Sequence, residues 1–174
     1  MKHSRIVLTG FMATGKTAVG EKLAKKLKYD FLDTDLMVEE ETGMSITQIF
    51  EKEGEPAFRA YEKKMVKKAM ERDKVVVATG GGAIVDPDNL KLMKARGIVI
   101  GLSASPESIM RRVSQMDTRP LLQTKDTKDQ LKKIEALLSH RSPYYRKADK
   151  IVDTTMKQLD ETVTEILKAL HGDD

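Results

Sequence analysis

Gly10-Phe11-Met12-Ala13-Thr14-Gly15-Lys16-Thr17 fits the pattern G-x-x-x-x-G-K-[ST], in which a glycine-rich loop turns its backbone N–H groups toward phosphate oxygens. Its flanks carry the second half of the signal. Ile6-Val7-Leu8-Thr9 reads as a short buried strand and Ala18 to Leu27 as a helix, so the loop lies between a strand and a helix N-terminus, whose partial positive charge adds to the amides. In such a loop the lysine, here Lys16, reaches the terminal phosphates and the hydroxyl, here Thr17, can ligate magnesium. A nucleoside triphosphate is the expected ligand. The string alone occurs by chance in unrelated loops; the strand and helix around it decide the reading.

Outward from the loop, strands and helices alternate. Tyr29 to Asp33 predicts a second strand and Leu36 to Thr42 a charged helix that stops at Gly43. Ser45 caps a helix from Ile46, Gly54-Glu55-Pro56 breaks it, and a longer helix follows from about Ala57 to Arg72. Lys74 to Thr79, with its unbroken Val75-Val76-Val77-Ala78, predicts a strand buried on both faces, ending in Gly80-Gly81-Gly82. Asp88 to Ala95 predicts a helix, Ile98 to Leu102 a strand, and Ser105-Pro106-Glu107 opens a helix to Val113. Residues 114–126 show no sustained apolar face and read as a long loop, the kind that in compact domains forms active-site lids. A helix is expected from Thr127 to His140, extending to Lys147 with Pro143 as an irregularity. Lys150 to Asp153 is the last strand, and Met156 to Leu170 a closing helix with Leu159, Val163, Ile166, Leu167 and Leu170 inward. The class is α/β, a three-layer α/β/α arrangement with a parallel sheet of about five strands covered on both faces. Ligands bind such sheets beyond the carboxyl ends of the strands, where the glycine loop, Asp33 with Asp35, and the triple glycine are all placed.

At 174 residues the chain suits one domain over 1–174, with room for a substantial core. Hydrophobic residues are 40% and charged residues 33%, a balance that argues against long disorder and for a soluble enzyme. No apolar run approaches the roughly 18 residues of a membrane span, and the N-terminus goes into a strand without a secretory signal, so a cytoplasmic location is expected. The absence of cysteine excludes disulfides, thiolate metal sites and cysteine nucleophiles. The net charge of +4 comes from 31 basic and 27 acidic residues, interspersed, with aromatics at only 5%, which disfavours nucleic-acid binding. Glu62-Lys63-Lys64-Met65-Val66-Lys67-Lys68 reads as a solvated helix face.

Several residues stand out as candidates for chemistry. Asp33 and Asp35 are two apart at a strand end, so an extended backbone points both to one side; one carboxylate can help hold magnesium near Thr17 through water, and the other can address an acceptor hydroxyl. Asp35 can also serve as the N-cap of the helix at Leu36. Three successive glycines after a buried strand mark a close approach of backbone to a ligand. Arg59, Arg119 and Arg141 lie where the helical pattern is disturbed or in the loop, and a guanidinium suits a carboxylate or phosphate. His3, His140 and His171 have no spacing that suggests a role.

Taken together, Gly10-Phe11-Met12 with Gly15-Lys16-Thr17, Phe31-Leu32-Asp33-Thr34-Asp35, Phe58-Arg59 with Glu62, Gly80-Gly81-Gly82, Arg119-Pro120-Leu121-Leu122, and Arg141 with Tyr144 resemble the shikimate kinase family over nearly the full chain. The resemblance implies a nucleoside monophosphate kinase-like P-loop fold with a five-stranded parallel sheet, a substrate-binding segment over about 33–62 and a mobile lid over about 114–126. It implies transfer of the γ-phosphoryl group of ATP, with Mg2+, to the 3-hydroxyl of shikimate in aromatic amino-acid biosynthesis. Carried onto this sequence, ATP would be held by Ala13, Thr14, Gly15, Lys16, Thr17, Ala18, Arg112 and Arg119, and shikimate by Asp35, Arg59, Gly80, Gly81, Gly82 and Arg141. Lys16, Asp35 and Arg119 would be catalytic, and Thr17 with Asp33 would hold the metal. The protein is expected to be a monomer. The chain departs from the family at Ala13, usually glycine, where a positive φ would strain alanine, and at Thr155-Met156-Lys157, where some relatives carry an adenine-contacting arginine and proline. A kinase for gluconate or a nucleotide, and a nucleotide-binding module without catalysis, are the competing readings of the same residues.

Overall fold

The computed structural model describes residues 3–115 and 127–172. Five parallel strands, β1 (Arg5–Gly10), β2 (Asp30–Asp33), β3 (Val75–Ala78), β4 (Ile98–Ser103) and β5 (Lys150–Asp153), form one sheet in the order β2-β3-β1-β4-β5. The apolar runs of β1, β3 and β4 are the three central strands, and side chains alternate between two cores. Ile6, Leu8, Val76, Ile100 and Leu102 face α1 (Lys16–Leu27) and α8 (Leu159–His171) in one cluster. Val7 and Val99 face α4 (Glu55–Ala69) and α5 (Pro87–Arg96) in another. Both faces are covered, as expected for the three-layer arrangement.

Among the described residues the remaining helices are α2 (Thr34–Thr42), α3 (Ile46–Lys52), α6 (Pro106–Ser114) and α7 (Thr127–Tyr145), with one 3-10 turn at Ala83–Val85. Local chemistry fixes their starts. Ser45 and Gln48 form a capping box at α3, and the Ser105 side chain accepts the Ser108 N–H at α6 with Pro106 in the first turn. Among the described residues no helix is long and apolar enough to cross a membrane.

Four expectations are corrected. α2 begins at Thr34 because Asp33 is its cap, its side chain accepting the N–H groups of Asp35 and Leu36; Asp35 is therefore neither the cap nor the end of an extended strand. α4 begins at Glu55, since Pro56 is tolerated in a first turn where its missing N–H has no partner to lose. Its supposed solvated face is half core: Glu62, Met65, Val66 and Ala69 are buried at helical spacing while Lys63, Lys64, Lys67 and Lys68 are exposed. α8 begins three residues later than expected, after Met156 at a left-handed φ of 58 and a box between Gln158 and Glu161. Leu159 is accordingly exposed, and Thr162 is buried instead.

Candidate active site

The order β2-β3-β1 sets three loops side by side at the carboxyl ends of adjacent strands. Thr79 continues β3 by donating its N–H to Leu8 O at 3.0 Å, and Gly80 N donates to Thr34 Oγ1 at 3.2 Å. The glycine loop after β1, the start of α2 after β2 and the triple glycine after β3 therefore share one crevice, as the topology predicted.

In the loop, Gly10 and Gly15 have φ of 146 and 96, conformations open to glycine at little cost. Ala13 is left-handed as well, at φ 58, so the departure from glycine does place alanine in a strained conformation. Thr14 is buried and its hydroxyl donates to Phe11 O at 2.8 Å; Lys16 Nζ donates to Gly10 O at 2.8 Å and Phe11 O at 2.9 Å. Lys16 thus sits over the loop, where phosphates would lie. Ala18 is exposed in the first turn of α1.

Thr17 Oγ1 donates to Asp33 Oδ2 at 3.0 Å, while Asp33 Oδ1 accepts from the α2 backbone. One hydroxyl and one carboxylate suit a hard divalent cation that keeps its waters and is shared with phosphates. Among the described residues no group of three or more His, Cys, Asp or Glu is placed to hold a metal by itself, so the phosphates must complete any coordination here.

Asp35, in the first turn of α2, faces the glycine triplet rather than Thr17. A Cβ on Gly80 would lie 2.6 Å from Asp35 Oδ1 and 2.8 Å from Glu62 Oε1. A Cβ on Gly82 would overlap the Arg59 guanidinium, and one on Gly81 would lie 3.5 Å from Arg141 Nη1. None of the three glycines has positive φ; at Gly80 and Gly82 a side chain would displace the charged groups of Asp35, Glu62 and Arg59 from the positions they hold. Arg59 bridges Glu62 Oε2 at 2.8 Å and Glu55 Oε1 at 3.2 Å. Burial pushes the Glu62 carboxyl above its usual range, outweighing the opposing pull of Arg59 and Arg141. Burial also works against the Arg59 charge, but Glu62 and Glu55 together raise it. Tyr145 Oη donates to Gly81 O at 2.7 Å, and burial raises its pKa against the influence of Arg141.

Arg112 reaches the other side of the loop. Its Nη1 donates to Ala13 O at 3.1 Å and to Thr154 Oγ1 at 3.0 Å, and its Nη2 to Thr154 O at 2.6 Å. Arg119, and residues 116–126 of the segment read as a lid, lie outside the described residues.

Glu62, Tyr145 and Thr154 were given no site role by the sequence, yet each touches the candidate machinery. Glu62 had a signal, since it is three residues beyond Arg59 on the same helix face as Met65, Val66 and Ala69. Tyr145 is one turn beyond Arg141. Thr154 had none, because its partners are distant in the chain.

A parallel sheet with a phosphate loop at the end of its first strand, and a crevice of arginines and carboxylates beside it, defines a P-loop phosphotransferase. A model of the family "Shikimate kinase" matches residues 12–171. The chain belongs to the shikimate kinase family and is an ATP-dependent phosphotransferase acting on a hydroxyl group. A shikimate kinase of Caldanaerobacter subterraneus subsp. tengcongensis is 46% identical over 164 residues, covering 94% of each chain. A solved shikimate kinase from Acinetobacter baumannii in complex with shikimate superimposes with a TM-score of 0.90 at 37% identity, over 98% of this chain and 94% of that one. A gluconokinase from Sinorhizobium meliloti 1021, 17% identical with a TM-score of 0.59 over 97% of this chain and 91% of that one, shares the fold alone.

Proposed function

We propose that the chain, acting as one kinase domain, transfers the γ-phosphoryl group of ATP to the 3-hydroxyl of shikimate, giving shikimate 3-phosphate and ADP for aromatic amino-acid biosynthesis. The observation that carries this is the crevice beside the phosphate loop, where Arg59 and Arg141 approach Gly82 and Gly81 and Asp35 approaches Gly80. That arrangement suits an acceptor with a carboxylate at one end and hydroxyls at the other. The two guanidinium groups and the glycine backbone take the carboxylate; Asp35 takes the hydroxyls. The A. baumannii relative, crystallised with shikimate at 37% identity, supports the same acceptor here.

Phosphoryl transfer runs through a loose transition state, so positioning and charge neutralisation dominate. Lys16 and the loop N–H groups face the transferring group. Mg2+, held by Thr17 and by Asp33 through water, would supply charge neutralisation at the phosphate oxygens. Asp35 orients the acceptor hydroxyl and takes its proton late in the transfer. The interspersed charge supports a monomer without a nucleic-acid partner; a cytoplasmic location with no membrane partner completes the proposal.

ADP release by purified protein with ATP and Mg2+ tests the acceptor: shikimate should stimulate it strongly, gluconate and nucleoside monophosphates should not. Stimulation by gluconate alone would overturn the assignment. Asp35→Asn should abolish turnover and leave ATP binding nearly intact; substantial residual turnover would remove Asp35 from its role.

A further inference from the structure

Peptide groups in a phosphate loop must point their N–H bonds inward, and each N–H is tied to the carbonyl of the preceding residue, which points the opposite way across the trans peptide. The outward carbonyls therefore need donors of their own. Two of them find these donors in Arg112 and in Thr154, a residue to which the sequence gave no role. Ala13 O accepts from Arg112 Nη1 at 3.1 Å, and Thr14 O accepts from Thr154 Oγ1 at 3.2 Å. Turning these two carbonyls outward turns the N–H groups of Thr14 and Gly15 toward the loop interior. The Thr14 N–H makes only a long 3.4 Å bond there, to Phe11 O.

Thr154 is the hub. It follows β5 and is 3% exposed; its hydroxyl accepts from Arg112 Nη1 at 3.0 Å, its carbonyl accepts from Arg112 Nη2 at 2.6 Å, and its N–H donates to Ser103 O at 2.8 Å. Ser103 O also lies 2.9 Å from the hydroxyl, and a carbonyl accepts two bonds, so the single hydroxyl proton is shared between Ser103 O at the end of β4 and Thr14 O in the loop. The side chain is fixed to the ends of β4 and β5, and through Arg112 and its own hydroxyl it grips the loop at two successive carbonyls. What it grips is the strained point of the loop. Ala13 is left-handed, which for a residue with a Cβ costs roughly 1–2 kcal/mol. Its methyl is buried in the cluster of Phe11, Ile109, Val113 and Ile134.

We propose that Thr154 is a positioning residue for the phosphate loop: with Arg112 it holds the Ala13 and Thr14 carbonyls outward, keeps Ala13 left-handed, and so presents the Thr14 and Gly15 N–H groups to the phosphates of ATP. This rests on the reading of Gly10 to Thr17 as the ATP loop. Because glycine enters the left-handed region freely, the brace has less to hold when Ala13 is replaced by glycine. The dependence on Thr154 is therefore specific to an alanine at that position.

Calorimetric titration of ATP with Mg2+ and, separately, of shikimate into wild type, Thr154→Val, Thr154→Ser and Ala13→Gly/Thr154→Val tests the brace. Loss of one buried hydrogen bond predicts an ATP Kd raised about fivefold in Thr154→Val, with the shikimate Kd unchanged, a wild-type value in Thr154→Ser, and a penalty below about twofold when Thr154→Val is compared with Ala13→Gly alone. Should Thr154→Val not fold, Thr154→Cys, whose thiol is only a weak donor, reads the same comparison. An unchanged ATP Kd, equal losses for both ligands, or the same penalty in the Ala13→Gly background would overturn the brace while leaving wild-type ATP binding in place. Wild-type protein that binds no ATP would overturn the loop reading and the brace with it.

Discussion

A carboxylate as buried as Glu62, 2% exposed, needs partners for both oxygens. One oxygen has Arg59; the other, Oε1, is without a hydrogen-bond partner among the described residues and lies beside Gly80, where an acceptor hydroxyl or an ordered water would serve it. Glu62 thereby sets the angle at which Arg59 enters the crevice. Glu62→Gln keeps the shape and removes the charge that holds the guanidinium, so the KM for shikimate should rise about tenfold, the size of a lost charge-assisted bond, with the KM for ATP unaltered. An unchanged shikimate KM would show that Glu55 alone positions Arg59. Stability should respond to pH with a definite sign. Burial raises the folded Glu62 pKa above its ordinary 4.5, so the folded state favours the protonated form. Relative to Glu62→Gln, the wild type should lose thermal stability as pH rises from about that ordinary value through the raised one, and the difference should then level off. A difference between the two melting temperatures that does not vary with pH would refute the shift.

At the scale of elements, what the sequence disclosed was what local pattern controls. The apolar runs of β1, β3 and β4, the Ser45 and Ser105 caps and the continuation of α7 toward Lys147 are all local and all found. The misreadings are of two kinds: helix starts placed a few residues off, where one local cap or first-turn signal competed with another, and one helix face set by contacts made across the chain. The Glu62–Lys68 stretch looked solvated because its lysines outnumber its apolar residues, whereas its inward stripe is defined by the sheet beneath it. Asp33 was recognised as a site residue, but its capping of α2 competed with the simpler strand-end geometry. Of the candidate site, the glycine loop, the glycine triplet and the paired arginines were legible because each is a dense local signal; Thr154 was not, because its partners Thr14 and Arg112 are far away in sequence. The capping box at α3 offers a test of a locally legible feature. α3 leans on α4 through Phe50 and Phe58, 4.9 Å between ring centroids, so its loss should cost stability without reaching the crevice. Ser45→Ala should destabilise the protein by about 1 kcal/mol, seen as a melting temperature about 2–4 °C lower, while both KM values hold. No change in melting temperature would mean that packing on α4, not the box, fixes the start of α3.

Across the whole molecule, the nucleotide and acceptor halves of the site hang from different parts of one frame. The phosphate loop belongs to β1 and α1 and is tied to β5 by Thr154, whereas the acceptor crevice is built by α2, α4, the end of α7 and the glycines after β3. The two meet across the adjacent ends of β1 and β3 and through the hydrogen bond from Thr17 to Asp33. Each ligand should therefore stabilise the fold through its own contacts, and each contribution should be removable without the other. Binding at about 100 times Kd adds roughly 2.7 kcal/mol to the stability of a folded protein, which for a chain of this size corresponds to about 5–10 °C. ADP with Mg2+ and shikimate should each raise the melting temperature by an amount of that order. Lys16→Met should suppress the shift with ADP and keep the shift with shikimate; Arg141→Met should do the reverse. Both side chains are partly exposed, and the Lys16 bonds to Gly10 O and Phe11 O are of the kind worth about 1 kcal/mol, so the melting temperatures without ligand should fall by only a few degrees. If either variant lost both shifts while still melting normally, the two halves would be one coupled site, and the division of labour between the loop after β1 and the crevice after β3 would have to be abandoned.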